Sequence, residues 1–401
     1  MSTPRTSARR DGRARRALVG TLLAGLALGV TSIPPTPASA ALVEARPIFT
    51  PLAGALTTSS AVDRNAALPD ASISEKKKGK KKRRHGRLRI GISTGFSIMY
   101  SGDKRLDKDL ARSENFGADQ LRLDISWAII EHEQGVYDWS LTDRLLSRTK
   151  AKGINVLGVI GFAPDWSHNP DQSVKPELFA KFVDLAAKRY ANKVAAWEIW
   201  NEPNQDRSWK AKPNPRAYAR MFEQASAKIQ KRDPKAKILM GSLAPAVDDP
   251  DGIEISPITF LKGVYRAKID RSSYDVISVH PFSYPALPSG DEDWNTFNRL
   301  PDIYRVVKRN GDGKKPFWLT EYGARTGSSS RSVNYKRHTK LMIDAYRETK
   351  KLPFVQALFF YSLRDASPNL KEPEDNFGLL KFNGRPKPAY KAVRRELIRN
   401  P

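Results

Sequence analysis

What most constrains this chain is a rhythm. From Leu88 onward, apolar runs of strand length alternate eight times with longer stretches whose apolar residues return every three or four positions. The runs Leu88–Ile92, Gln120–Ile125, Asn155–Ile160, Val194–Trp200, Ile238–Ser242, Asp275–His280, Phe317–Glu321 and Ala357–Tyr361 read as buried parallel strands. Helical spacing marks Asp107–Phe116, Leu141–Lys152, Pro176–Ala191, Pro215–Arg232, Ser256–Ala267, Leu300–Asn310, Ser332–Lys350 and Lys387–Arg399. Eight such pairs predict an α/β fold, a (β/α)8 barrel of the TIM type, over residues 87–401. A doubly wound open sheet is the competing arrangement. It lacks support, because "RIGISTGFS" after the first strand offers isolated glycines and neither G-x-G-x-x-G nor a P-loop.

The chain has 401 residues, and those outside the barrel lie at its N-terminus. Arg9, Arg10, Arg13, Arg15 and Arg16 precede the apolar stretch Ala17–Val30, and Ala38-Ser39-Ala40 forms a small-residue cleavage pattern. A secretory signal peptide over residues 1–40 is therefore expected, with a secreted or cell-wall-associated protein as the product. Arg15-Arg16-Ala17-Leu18-Val19 resembles a twin-arginine signal, with Ala14 where a polar residue is usual, so general and twin-arginine export both stay open. An uncleaved anchor is the alternative, although the apolar stretch is shorter than the ~20 residues a spanning helix needs. Residues 41–86, rich in Ala, Ser, Thr and Pro and ending in "EKKKGKKKRRHGR", read as a disordered linker. Its block Lys76–Arg84 suits an anionic cell-surface polymer, or serves only as a solvated spacer. Nucleic acid is not expected beside an export signal. The formal net charge of +26 extends beyond this block, which fits a polyanionic surrounding or an acidic substrate without choosing between them.

The chain has no cysteine, which excludes disulfides and thiolate metal sites, and its five His show no close pairing of the kind metal ligation uses. Neither a metal nor an organic cofactor is expected. The chemistry is instead suggested by two carboxylates. Glu202, in "AAWEIWNEPNQ", follows the fourth strand, where Pro203 has no N–H with which to continue a ladder. Glu321, in "KPFWLTEYGAR", closes the seventh. In such a barrel the C-terminal strand ends form the active face, and strands four and seven lie across its mouth. Two carboxylates facing one another over a cleft are what cleavage of a glycosidic bond requires.

"WNEPN" and "WLTEYG" together resemble the signature of clan A glycoside hydrolases, in particular the cellulase-type families 5 and 39. The closing "FFYSLRDASPNLKEPEDNFGLLKFNGRPKPAYKAV" is similar to family 39 and related endoglycosidases. The resemblance implies a retaining hydrolase acting on O-glycosidic, β-linked bonds of oligo- or polysaccharides. It implies that Glu202 is the general acid/base, protonated at rest, and that Glu321 is the ionised nucleophile. Asn201 would bond the sugar 2-hydroxyl. Arg122, in "LRLDISW", would support the charge of the nucleophile, unless it only closes an interior salt bridge with Asp124. Tyr284, in "VHPFSYP", would hydrogen-bond the nucleophile, and His280 would shape the subsite. Glu198 reads as an interior carboxylate and not a third catalytic group. Trp127, Trp166, Trp200 and Trp294 are candidates for stacking on sugars, with core or rim packing as the alternative. Where the clan usually ends strand eight in a Trp, this chain offers Phe360 or Tyr361. A catalytically silent carbohydrate- or wall-polymer-binding protein on the same barrel is the competing function. The identity of the sugar, exo or endo action and the oligomeric state stay open.

Overall fold

A computed structural model of the protein describes residues 87–400 apart from Asp293. The expected signal peptide, the linker and the Lys76–Arg84 block lie outside the described residues.

Eight strands form the expected barrel: β1 (Arg89–Ser93), β2 (Gln120–Ser126), β3 (Asn155–Gly161), β4 (Ala196–Ile199), β5 (Lys237–Leu243), β6 (Val276–Val279), β7 (Phe317–Tyr322) and β8 (Val355–Tyr361). They are parallel throughout, pair in sequence order, and close through a five-residue register between β1 and β8. Among the described residues, eight helices of ten residues or more surround them: α1 (Asp103–Phe116), α2 (Ser140–Ala151), α3 (Pro176–Tyr190), α4 (Pro215–Arg232), α5 (Pro257–Arg266), α6 (Leu300–Arg309), α7 (Tyr335–Lys351) and α8 (Pro388–Arg399). Single helical turns at Trp127–Ile130 and Asp206–Trp209 interrupt two of the connections on the mouth side. Helix starts carry local signals. The side chains of Asn214, Ser256 and Asn334 each accept from a backbone N–H three residues on, and proline occupies the first turn of α3, α4, α5, α6 and α8. Among the described residues, no helix is long and apolar enough to cross a membrane.

Strand parity divides the side chains into two sets. Outward residues such as Leu121, Leu123, Ile125 and Trp127 of the β2 segment join the apolar faces of the helices in one large core. Inward residues form a separate plug: Leu157, Ala196, Leu239, Val276, Trp318, Ala357 and Phe359. Within it Trp318 stacks on Phe359 with ring centroids 6.2 Å apart. A Cβ on Gly91 would stand 2.2 Å from the Phe359 ring, so glycine on β1 makes the room that ring fills. Above this floor the inward positions turn polar: Ser93, Arg122, Asp124, Glu198, Thr320 and His280 are all buried.

Candidate active site

β4 stops at Ile199, and both Trp200 and Glu202 then take left-handed backbone conformations, with φ of 73° and 48°. For residues bearing a Cβ this costs on the order of 1–3 kcal/mol and persists only where neighbours enforce it. The neighbours are on and after β5. Glu202 N–H donates to the Ser242 carbonyl at 3.1 Å, and the Ser242 hydroxyl donates to the Trp200 carbonyl at 3.0 Å. Asn204, fully buried, donates to the carbonyls of Ala244 at 3.1 Å and Ile255 at 2.9 Å and accepts from Ala244 N–H at 2.8 Å. The Asn-Glu-Pro-Asn run thus divides its tasks. Pro203 ends the pairing, Asn204 fastens the turn, and Asn201 and Glu202 stay at the mouth, partly open to it.

Glu321 arrives from the opposite wall. The strand that carries it passes so close to β8 that a Cβ on Gly323 would stand 1.9 Å from the Tyr361 carbonyl oxygen, which only glycine tolerates. One guanidinium ties both walls to the interior. Arg122 donates from Nε to Glu198 Oε2 at 2.6 Å, from Nη1 to Glu321 Oε1 and, at 3.3 Å, to Ser93 Oγ, and from Nη2 to Asn201 Oδ1 at 2.8 Å. Ser93 in turn donates to Glu321 Oε1 at 3.3 Å. Burial works against the Arg122 charge, but Glu198, Glu321 and Asp124 outweigh it and raise its pKa above the already high usual value. The Arg122 hydrogen bonds go to Glu198 and Glu321, not to Asp124, so the simple salt-bridge alternative for Arg122 is not what the barrel contains. Glu198 is fully buried and its other oxygen accepts from Thr320 Oγ1 at 2.8 Å, which makes it an interior anchor for the arginine.

The two carboxylates meet at His280. Its Nδ1 lies 3.1 Å from Glu202 Oε1 and 3.8 Å from Glu321 Oε2. The two oxygens can be no further apart than those distances laid end to end, a bound that admits the ~5–5.5 Å spacing of retaining pairs. Its Nε2 is buried and without a partner among the described residues. Glu202 Oε2 faces a second cation, Arg207 Nη2 at 3.3 Å. Burial pushes the Glu202 carboxyl up, yet the His280 hydrogen bond and the charges of Arg207, His280 and Arg122 prevail and hold it at about 2. The expectation that Glu202 rests protonated therefore does not hold for the ligand-free protein. His280 and Arg207 keep it a carboxylate.

The other expected contacts sort by strand parity. Trp127 is fully buried, stacks on Phe182 at 5.4 Å and donates from Nε1 to Glu131 at 2.7 Å; Trp200 is equally buried, edge-on to Phe179. Phe360 is fully buried against Phe116, at 5.5 Å. All three point outward into the helix layer, so none is a platform for sugar. Trp166 is half-buried edge-on to Trp127 and donates to the His132 carbonyl at 3.1 Å, and Trp294 is exposed. Tyr361, the inward neighbour of Phe360, stays partly open at the mouth. Tyr284 packs on Phe377 at 5.9 Å and under the Arg325 guanidinium at 5.2 Å. Among the described residues it makes no hydrogen bond to Glu321, because the aromatic cluster of Phe282, Tyr361 and Phe377 takes up its ring. The sequence reading missed Ser93 and Arg207. Ser93 ends β1 with no flanking motif. Arg207 sits on a one-turn helix after the proline, where no periodicity marks it.

The fold agrees with what the comparisons return. The family model for cellulase (glycosyl hydrolase family 5) matches residues 87–356. Similar solved structures include a family 39 glycoside hydrolase from Bacteroides cellulosilyticus WH2, at TM-score 0.61 and 21% identity, covering 78% of this chain and 64% of that one. A monomeric beta-xylosidase from Caulobacter crescentus CB15 is similar at TM-score 0.59 and 19% identity, covering 78% and 67%. An exo-beta-1,4-mannosidase from Opitutaceae bacterium strain TAV5 is similar at 0.57 and 17%, covering 78% and 59%. At these identities the likeness shows the shared barrel, and this chain spans about two thirds of the length of the first two. No curated protein sequence matches it.

Proposed function

The chain belongs to the cellulase family, glycosyl hydrolase family 5, and is thus a glycoside hydrolase; from that premise we propose that it cleaves β-linked oligo- or polysaccharides with retention, through Glu321 and Glu202. The observation that carries this is the asymmetry of two converging carboxylates: both reach His280 Nδ1, but Glu321 is bonded by Arg122 and Ser93 while Glu202 is the one beside the outer, exposed Arg207.

The roles follow from that asymmetry. A carboxylate whose negative charge is matched by a buried guanidinium suits nucleophilic attack on the anomeric carbon. As the Glu321–carbon bond forms, the bond to the leaving oxygen breaks, and Glu202 donates its proton to that oxygen. Water then attacks the glycosyl ester, Glu202 takes the water proton, and Glu321 leaves as carboxylate. The first step needs a proton that Glu202 lacks in the free protein. Substrate entering beside Glu202 displaces Arg207 from Oε2 and excludes water, and both changes raise the carboxyl. Asn201 keeps its amide N–H groups for a sugar hydroxyl, since its Oδ1 is engaged by Arg122. Incubation with a 2-deoxy-2-fluoro β-glycoside bearing a good leaving group tests the assignment. Mass spectrometry should find one sugar on the peptide containing Glu321, and a label elsewhere, or none with a glycoside the enzyme turns over, contradicts it. Secretion, and tethering to an anionic cell-surface polymer through Lys76–Arg84, belong to this proposal as the setting in which the barrel acts.

A further inference from the structure

One buried carboxyl at the mouth has no part in that chemistry. We propose that Asp124 is a sugar-binding residue that hydrogen-bonds a ring hydroxyl of the glycone and so selects a neutral sugar over a uronate. The inference rests on the hydrolase reading for the identity of its ligand and goes beyond it in naming the class of sugar.

Parity places the side chain. Arg122 points into the barrel, as its bonds to Glu198 and Glu321 show, and Asp124 follows two positions later on the same face, one layer nearer the mouth. Leu123, Ile125 and Trp127, the alternate set, are outward in the helix core. Asp124 is 7% exposed, yet among the described residues no side chain or backbone group donates to its carboxyl. Its oxygens are nevertheless absent from the fully occluded, unpartnered polar atoms, so they are not wholly closed off, and strand parity sets them on the inward face above Arg122. Buried acidic side chains are ordinarily hydrogen-bonded, and one left without a donor from the chain beside a sugar cleft is open to a partner from outside it.

The electrostatics favour a hydroxyl. Burial pushes the Asp124 carboxyl up, Arg122 pulls it down, and Glu321 and Glu198 push it up again, leaving it at about 7. Near neutral pH a protonated fraction offers one donor and one acceptor, the complement of a sugar hydroxyl. Tyr361 stands on the same side: burial first, then the charges of Glu321, Glu374 and Asp124, raise its phenol, so it too presents a neutral O–H. A carboxylate on the glycone beside Asp124 would face Asp124 and Glu321, and the nearest guanidinium, Arg122, is already bonded to Glu198, Glu321 and Asn201.

The test is binding to the full chain carrying Glu321→Gln, which stops turnover. 4-Nitrophenyl β-D-glucoside, xyloside, mannoside, galactoside and glucuronide are titrated by calorimetry, followed by the mono-deoxy forms of the tightest neutral binder. With Asp124 present, loss of one particular hydroxyl should weaken binding about 10- to 100-fold, and with Asp124→Ala that loss should fall to about 3-fold or less. Should Asp124→Ala not fold, Asp124→Asn carries the test: at pH 8 it should narrow the preference for neutral sugar over glucuronide by about 10-fold, because the charge is gone while the volume stays. Deoxy penalties unchanged by Asp124→Ala, an unchanged glucuronide ratio in Asp124→Asn, or a panel in which no neutral glycoside binds overturns the inference. A protein that binds as described while wild-type enzyme cleaves nothing fails the hydrolase reading alone. One that hydrolyses with an unaltered deoxy pattern fails this inference alone.

Discussion

The two ends of the same eight strands are built to opposite rules. At the floor, Leu157, Ala196, Leu239, Val276, Trp318, Ala357 and Phe359 form an apolar plug governed by shape, with Trp318 Nε1 as its buried, unpartnered polar atom. At the mouth, Ser93, Arg122, Asp124, Glu198, His280, Glu202 and Glu321 crowd charges into a space nearly as closed. The floor gains stability from apolar area removed from water, about 25 cal/mol per Å². The mouth spends some of it. Left-handed Trp200 and Glu202, an unpartnered His280 nitrogen and a carboxyl without a donor are each unfavourable, and they cluster where a substrate would sit. The difference implies that changes at one end should register in turnover and changes at the other in folding.

The sharpest division is expected at the carboxylates. Glu321→Gln should lower kcat by about 10⁴-fold or more, with a melting temperature close to that of the parent. Glu202→Gln should cost about 10²–10⁴-fold on glycosides with poor leaving groups and much less on dinitrophenyl glycosides, whose leaving oxygen needs no proton. Kinetics on the two substrate classes check this, and equal losses on both would blur the distinction between the walls. At the floor, Trp318→Ala should destabilise by about 3–5 kcal/mol in denaturant titration, while kcat at a temperature well below melting stays within a few-fold.

Acid should act on the mouth before the floor. The folded-state pKa of Glu202 is depressed, from 4.5 to about 2, so the stability it contributes is present above its unfolded value and is lost as pH falls through that window. Denaturant midpoints between pH 5 and 2 should therefore fall less steeply in Glu202→Gln than in the parent. The smallest effect is expected at Arg207, which is 63% exposed and hence well screened. Arg207→Gln should raise the Glu202 carboxyl and move the alkaline limb of kcat/KM upward by about 0.1–0.7 pH unit. A downward shift would mean that the guanidinium does not oppose protonation of Glu202.

The fold was legible because strands buried on both faces read as short apolar runs and the helices between them keep a period of 3.6; observed and expected limits differ by a few residues, as where α1 starts at Asp103 and not Asp107. That Glu202 and Glu321 come to the same mouth was legible from Pro203, which ends the pairing after β4, and from the place of Glu321 late in β7. The misassigned aromatics carried their answer in parity. With Arg122 inward, Trp127 has to be outward, and with Tyr361 at the mouth, Phe360 has to face the helices. Arg207, Ser93 and the protonation state of Glu202 were not legible, since each depends on which side chains from distant strands close on one carboxylate. No local pattern encodes the 3.1 Å approach of His280 to Glu202 across 78 residues.

Proton NMR of the first sugar released from a β-glycoside, read before mutarotation, tests most directly whether the two carboxylates act as nucleophile and acid/base. Retention through Glu321, as proposed, has the β-anomer appear first and the α-anomer grow in later; initial release of the α-anomer would show that water, and not Glu321, attacks the anomeric carbon.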